Sequence, residues 1–177
     1  MIRHFFLAVA FLGLGVGATA NAEVVRSADD GFQLRLERTS SASADETYAR
    51  LLDIASWWQG SHTYSGDAAN LSLEGDEVGS VWLEEWDNGN VEHGHVIAAL
   101  QQNGNYLIRF EAALGPLQNI GVNAVLTIMV EGNGTPGESR LVFEYFVTGA
   151  SFQSLSDIAP VVDAVLTTQI DRLASAS

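Results

Sequence analysis

The segment VGSVWLEEWDNGNVEHGHVIAAL, residues 78–100, decides the fold because a turn signal divides it into two halves. Residues 87–90 are Asp-Asn-Gly-Asn, and Asn and Gly accept the positive φ angles of tight hairpin turns. We therefore predict strands over 78–86 and 91–100. A turn centred on Asn88-Gly89 places these residues opposite one another: Trp86 and Val91, Glu84 and His93, Trp82 and His95.

Similar patterns on both sides of this hairpin predict further strands over 32–38, 70–74, 105–113, 122–131 and 139–148, whereas the polar stretch 23–30 is expected to be loose. Ser43 and Glu46 have the spacing of a capping box, so we predict a helix over 44–54 with a short extra turn into Trp57-Trp58. A loop over 59–69 follows, which carries His62, Tyr64 and Asp67.

The chain ends in a long amphipathic helix. One apolar stripe recurs there at steps of three and four residues: Ile158, Val161, Val162, Val165, Leu166, Gln169, Ile170 and Leu173. Such a helix must lay its stripe on one face of the sheet. The order of elements therefore predicts an α+β fold in which a curved antiparallel sheet of about seven strands wraps around the helix and leaves space between them.

The pattern of residues also predicts which face of the sheet points inward. Four charged residues fall on one face and belong in water: Glu85, Glu92, Arg109 and Glu111. The opposite face then carries Trp82, Trp86, Ile97, Ala99, Tyr106, Ile108 and Phe110. The last hairpin extends the same apolar face with Val122, Ala124, Leu126, Ile128, Val130, Leu141, Phe143, Tyr145 and Val147.

Glu84, His93 and His95 are the polar residues predicted on this inner face. A buried carboxylate and imidazole need partners, and Glu84 and His93 could satisfy each other. Two histidines and a carboxylate, with His62 as a fourth group, could alternatively bind iron or zinc. Because a Glu–His pair needs no ion, we take the metal-free pair as the working hypothesis and predict no metal and no cofactor.

The predicted ligand site combines the inner face with the Trp57-Trp58 turn and the following loop. Its members are Trp57, Trp58, Tyr64, Trp82, Glu84, Trp86, His93, His95, Phe110, Leu126, Tyr145 and Leu166. A few polar groups in an apolar concavity are typical of small-molecule sites. The alternative is that Glu84 and His93 lie solvated at the cavity mouth without a role.

The chain resembles the SRPBCC, or START-like, superfamily, in its polyketide cyclase/dehydrase and Hsp90 ATPase activator-like branch. The resemblance covers about residues 32–175. It rests on the opening strand, the helix 43–53 with Trp57-Trp58, the segments 91–95 (VEHGH) and 113–118 (ALGPLQ), and the final helix. It implies a helix-grip fold with an internal cavity, and it leaves the function open because the superfamily hosts carriers, receptors and enzymes.

Composition excludes several classes of function. The eight basic residues are all Arg, against 22 acidic ones, and the net charge of −14 predicts no nucleic-acid partner. The absence of Lys excludes Schiff-base chemistry and a P-loop, and the absence of Cys excludes thiol catalysis and disulfides.

Residues 1–22 have the three parts of a secretory signal peptide. A short basic start precedes an apolar run over 5–18, and Ala20 and Ala22 are the small residues that a signal peptidase reads. The run is too short for a membrane-spanning helix, which needs about 20 residues. We predict cleavage before Glu23, one mature domain over 23–177, a periplasmic or secreted location, and no membrane anchor after cleavage.

Three functions fit these predictions. The first is a carrier or sensor that holds a small hydrophobic or amphipathic molecule in its cavity, without catalysis. The second is a cyclase, dehydratase or isomerase in which Glu84 or His93 is the general base. The third is a structural or interaction module whose core is filled. The sequence leaves the ligand and the oligomeric state undefined.

Overall fold

The computed structural model describes residues 23–175, and the predicted signal peptide lies outside the described residues. The elements are β1 (Glu23–Ala28), β2 (Gly31–Ser40), α1 (Ala44–Leu52), α2 (Ile54–Trp57), β3 (Leu71–Leu73), β4 (Val81–Trp86), β5 (Gly89–Gln102), β6 (Asn105–Glu111), β7 (Asn123–Gly132), β8 (Ser139–Thr148) and α3 (Leu155–Ala174). The strands form one antiparallel sheet in the order β1-β2-β8-β7-β6-β5-β4-β3. The predicted α+β helix-grip architecture is confirmed.

The helices begin and end close to where the sequence predicts. The capping box of α1 is present, since the Ser43 hydroxyl accepts from the Glu46 backbone N–H and the Glu46 carboxylate accepts from the Ser43 N–H. The helix α3 packs mainly on β2 and β1, and Leu166, Ile170 and Leu173 of its stripe are buried. No helix among residues 23–175 combines the length and the apolar character that crossing a membrane requires.

The structure corrects the prediction for the first residues of the described chain. Residues 23–28, predicted to be loose, form β1 and pair with β2, so the sheet has eight strands rather than about seven. The strand lies at the edge of the sheet, and most of its side chains are exposed. The strand pairs only with its neighbour β2, across the turn at residues 29–30, and its exposed side chains do not show the apolar alternation by which a strand is recognised in a sequence.

The register of the β4–β5 hairpin also differs from the prediction. Trp86 pairs with Gly89 and Glu84 with Val91, so the turn is formed by residues 87 and 88. No residue of 87–90 has a positive φ, whereas the predicted Asn103-Gly104 turn has positive φ at both positions. The first turn therefore lacks the conformation that its Asn-Gly dipeptide indicates.

A β-bulge in β5 changes which side chains point inward. Leu83 pairs with Glu92 but Trp82 pairs with Gly94, so His93 is the extra residue. The bulge leaves His93 buried and places His95 on the outer face, 40% exposed. The prediction that His93 and His95 share a face is wrong because it assumes unbroken alternation.

A second bulge lies further along β5, between Val96 and Ala98. It leaves Ile97 37% exposed, against the prediction that this residue points inward. The inner face predicted for β7 and β8 is confirmed, and Leu126, Phe143 and Tyr145 there are fully buried.

Candidate functional site

A largely apolar cavity with a volume of about 630 Å³ lies between the first half of α3 and two connecting segments. The α3 wall includes Ile158, Val162, Val165 and Leu166. These residues recur at helical spacing, so one face of the helix supplies the wall. The other walls come from residues 58–64, which follow α2, and from residues 114–120, which connect β6 to β7.

Most of the polar side chains in the cavity lining come from one connecting segment. The segment 61–64 contributes Ser61, His62, Thr63 and Tyr64 in succession. Asp157, in the first turn of α3, adds a carboxylate to the lining. The segment 114–120 is largely apolar and contributes Leu114, Leu117 and Ile120. The cavity therefore offers a broad apolar surface and a localised polar edge.

Glu84 holds the segment that carries this polar edge in place through hydrogen bonds. Its carboxylate is fully buried and accepts hydrogen bonds from the backbone N–H groups of Tyr64, at 3.1 Å, and of Ser65. The Nε2 atom of His93 lies 2.8 Å from the same carboxylate. Burial raises the pKa of Glu84, but the hydrogen bonds from Ser65, Tyr64 and His93 together lower it below its ordinary value. Glu84 is therefore ionised at neutral pH.

His93 completes the buried pair in its neutral form. Burial lowers the pKa of His93, and the opposing effect of the Glu84 carboxylate is smaller, so the net shift is downward. A neutral imidazole bonded to an ionised carboxylate through Nε2 must carry its proton there, so His93 donates and Glu84 accepts. The arrangement is a charge-assisted hydrogen bond inside the fold.

Tyr64 connects two walls of the cavity. Its hydroxyl donates to the backbone carbonyl of Gly115 at 2.9 Å, and its ring centroid lies 5.9 Å from that of His93. The side chain remains 43% exposed. Residues 61–64 are thus held on one side by Glu84 and on the other by the 114–120 segment, and they partly cover the cavity.

No protein-family model matches this sequence, and no curated protein matches it. Solved structures do match its fold. A protein from Thermobifida fusca aligns with a TM-score of 0.56 and 11% identity, covering 80% of this chain and 90% of its own. A conserved protein of unknown function from Enterococcus faecalis aligns with a TM-score of 0.54 and 11% identity, and the alignment covers 86% of this chain and 74% of that protein. Truncated norcoclaurine synthase from Thalictrum flavum aligns with a TM-score of 0.52 and 16% identity, and the alignment covers 84% of this chain and 94% of the synthase.

The chain has a helix-grip fold. The match to these solved structures agrees with the fold that the sequence resemblance implies. At identities of 11–16% this likeness concerns the fold alone. Function must therefore be argued from the residues of this chain.

Three of the twelve predicted site residues line the main cavity of this helix-grip fold: Trp58, Tyr64 and Leu166. Five others, Trp57, Trp82, Phe110, Leu126 and Tyr145, lie buried in the core. Glu84 and His93 are also buried and are absent from the cavity wall, Trp86 is half-buried beside the β4–β5 turn, and His95 lies on the outer face. Ligand contact by any of the twelve stays a prediction.

The predicted position of the cavity is wrong because aromatic side chains fill the middle of the helix-grip core. Five members of the predicted ligand site come from the inner face of the sheet and from α3, namely Trp82, Phe110, Leu126, Tyr145 and Leu166, and only Leu166 lines the cavity. The ring of Trp82 packs against the rings of Trp58 and Phe110, with centroid distances of 4.8 Å and 5.8 Å. The Tyr145 hydroxyl donates to the Ala112 carbonyl and accepts from the Leu114 N–H. The cavity therefore lies beyond this layer.

The 114–120 wall and the role of Gln169 are not among the features predicted from the sequence. β6 ends at Glu111, and the short 3-10 helix over Gly115–Ile120 carries the apolar side chains of Leu117 and Ile120 into the cavity wall. The unusual number of apolar residues in this connection between β6 and β7 is the feature of the sequence that could have indicated the wall. Gln169 falls on the apolar stripe of α3, and a glutamine in such a stripe indicates a buried polar contact.

The alternative metal set does not assemble. His95 is on the outer face, where its Nδ1 lies 3.0 Å from a Glu92 carboxylate oxygen, and His62 bonds to Gln169 instead. Among residues 23–175, no three His, Asp or Glu side chains come together as metal ligands.

Proposed function

We propose that this protein is an exported carrier or sensor that binds a small, largely apolar molecule in the cavity between α3 and residues 58–64 and 114–120. The observation that supports it most is the cavity itself, with a volume of about 630 Å³, a largely apolar lining and a polar edge formed by residues 61–64. Small-molecule sites have volumes of about 300–1,000 Å³ and combine apolar walls with a few oriented polar groups.

The distribution of polar groups favours an amphipathic ligand over a pure hydrocarbon. The apolar part would contact Ile158, Val162 and Val165 on α3, and a polar end would face the 61–64 segment. Burial of apolar ligand surface contributes about 25 cal/mol per Å², so the walls supply affinity and the polar edge supplies orientation.

The enzyme alternative has less support. Glu84 and His93, the candidate general bases, are 0% and 3% exposed and lie outside the cavity wall. The Glu84 carboxylate already accepts from two backbone N–H groups and from His93. A base must come within hydrogen-bond reach of the proton that it removes. We infer that this pair positions residues 61–65.

Export is part of the same proposal. It rests on the signal-peptide pattern of residues 1–22. The unfilled space beside α3 also argues against the third possibility, a module with a filled core.

Filling the cavity tests the binding proposal. Val165 lines it, whereas the neighbouring Ala164 is exposed on the opposite side of α3. We expect Val165→Trp to abolish binding of the neutral dye N-phenyl-1-naphthylamine, measured by fluorescence, and Ala164→Trp to leave it intact. Both variants must show cooperative thermal unfolding. A folded Val165→Trp variant with the affinity of the wild type contradicts the proposal, as does a wild-type protein that does not bind the dye.

A further inference from the structure

Gln169 is a fully buried amide on α3 whose orientation is fixed by its neighbours. The backbone N–H of Gln59 donates to its Oε1 atom at 2.8 Å. Only the carbonyl oxygen of an amide can accept this bond, so the NH₂ group of Gln169 faces the other way. There its Nε2 atom lies 2.7 Å from Nδ1 of His62.

This contact determines the protonation of His62. The NH₂ group of an amide can only donate, so Nδ1 of His62 must accept and carries no proton. The neutral ring then has its proton on Nε2. The backbone around it is also held, because the His62 N–H donates to the Gln59 carbonyl at 2.9 Å and the Trp58 indole donates to the His62 carbonyl at 3.2 Å. Gln169 is thus a positioning residue for the His62 ring.

The Nε2–H group of His62 is available for a ligand. His62 lines the cavity, and its Nε2 atom makes no hydrogen bond within residues 23–175. Two neighbouring hydroxyls of the polar edge already donate to backbone carbonyls, Thr63 to Gly60 at 2.8 Å and Tyr64 to Gly115 at 2.9 Å. His62 therefore differs from them in keeping a ring N–H uncommitted.

We propose that His62 Nε2–H donates to a neutral carbonyl-type oxygen of the ligand, and that the ligand class is apolar ketones and related carbonyl compounds. This inference rests on the proposed binding function. A carboxylate could accept the same bond, but the ionised Glu84 carboxylate bonds to the backbone N–H groups of Tyr64 and Ser65, two and three residues from His62, and the chain carries a net charge of −14. Like charges disfavour an anion there, so the occupant is an uncharged molecule with an acceptor.

Two matched ligands test the preference. 2-Acetylnaphthalene has a carbonyl oxygen, and 2-ethylnaphthalene has nearly the same shape without one. We expect the wild type to bind the ketone about threefold to tenfold more tightly, the range that one net hydrogen bond supplies. His62→Phe should remove that preference, so that the ratio of the two affinities falls to about one. His95→Phe makes the same change on the outer face and should leave the preference unchanged.

The outcomes separate this inference from the proposed function. If neither naphthalene binds the wild type, the cavity-binding function itself fails. If both bind equally well, or if the preference survives in His62→Phe, the role of His62 is refuted while binding stands.

Nitrogen NMR tests the positioning role independently of any ligand. Long-range ¹H–¹⁵N spectra of the wild type should show an unprotonated Nδ1 and a protonated Nε2 in the His62 ring. In Gln169→Glu, a carboxylate that can only accept replaces the donor, so Nδ1 of His62 should become protonated, whereas the spectrum of His95 should not change. A protonated Nδ1 in the wild type, or an unprotonated one in folded Gln169→Glu, overturns the assignment.

Discussion

Nε2 of His93 lies 2.8 Å from the carboxylate of Glu84, although the two residues are not paired across β4 and β5. The backbone partner of Glu84 is Val91, and the β-bulge at His93 allows the imidazole to reach a carboxylate two positions away in register. The contact joins two buried side chains and indirectly fixes the backbone of Tyr64 and Ser65. A defect in the regular strand thus positions the polar edge of the cavity.

Removing the charge of Glu84 should lower the pKa of His93 further. Burial already lowers this pKa, and the carboxylate is the group that opposes the decrease. Glu84→Gln keeps the shape of the side chain but removes the charge that favours the imidazolium. NMR titration of the His93 ring in both proteins measures the effect. An unchanged pKa in folded Glu84→Gln would contradict an electrostatic role for the pair.

Acid should destabilise the fold in two stages. His93 has a native pKa below the ordinary 6.5, so the unfolded chain binds a proton first and the free energy of unfolding falls as the pH decreases below about 6.5. Glu84 has a native pKa below the ordinary 4.5, so its contribution is present above that pH and is lost as the pH falls through the native value.

Urea unfolding at a series of pH values between 8 and 3 measures this dependence. His93→Gln should flatten the first stage, which begins near pH 6.5, because the titrating ring is gone. His95→Gln makes the same change on the outer face and should leave that stage in place. A first stage that persists in His93→Gln shows that another group causes it.

Much of the fold could be predicted from local patterns. The capping box at Ser43 and the stripe of α3 use short-range periodicity, and both lie where the sequence indicates. The facing strands β7 and β8 alternate without interruption, so counting residues identifies their inner face correctly. Where the chain is locally regular, the pattern of apolar residues is sufficient.

The candidate site depended on features that local patterns do not contain. Two bulges in β5 change the direction of side chains, and no count of alternating residues detects an extra residue. The cavity was misplaced because Trp82 and Phe110 occupy the space predicted for a ligand. His62 and Gln169 are 107 positions apart, so their contact exists only in the folded chain.

Gly94 should be intolerant of any side chain. A Cβ atom there would lie 2.5 Å from the Glu111 carbonyl oxygen and 2.6 Å from the Ala112 Cβ. We expect Gly94→Ala to lower the free energy of unfolding by about 1–3 kcal/mol, the usual cost of overpacking. Gly132 is the matched control, because a Cβ atom there meets nothing within 4 Å. Equal urea midpoints for the two variants would refute the close approach of β5 and β6.

Export predicts cleavage between Ala22 and Glu23. Because β1 begins at Glu23, the mature chain would keep the whole strand. N-terminal sequencing of protein recovered outside the cytoplasm should begin at Glu23. Ala22→Tyr should block processing, since the peptidase requires a small residue there, whereas Asn21→Tyr changes the position between the two small residues and should be processed. An exported wild type that keeps Met1 contradicts this prediction.

Tyr64→Phe should make the cavity open more readily. The substitution removes the hydroxyl that donates to the Gly115 carbonyl but keeps the ring beside His93 and the backbone bond to Glu84. One net hydrogen bond corresponds to about a threefold to tenfold change in an equilibrium. We therefore expect amide exchange in residues 60–65, and dissociation of N-phenyl-1-naphthylamine, to become faster by about that factor. Tyr106→Phe is the control, because that hydroxyl donates to Asp45 at 2.8 Å and does not line the cavity. If the amide hydrogens of residues 60–65 exchange at the same rates in Tyr64→Phe and in Tyr106→Phe, the Tyr64–Gly115 contact does not control access to the cavity.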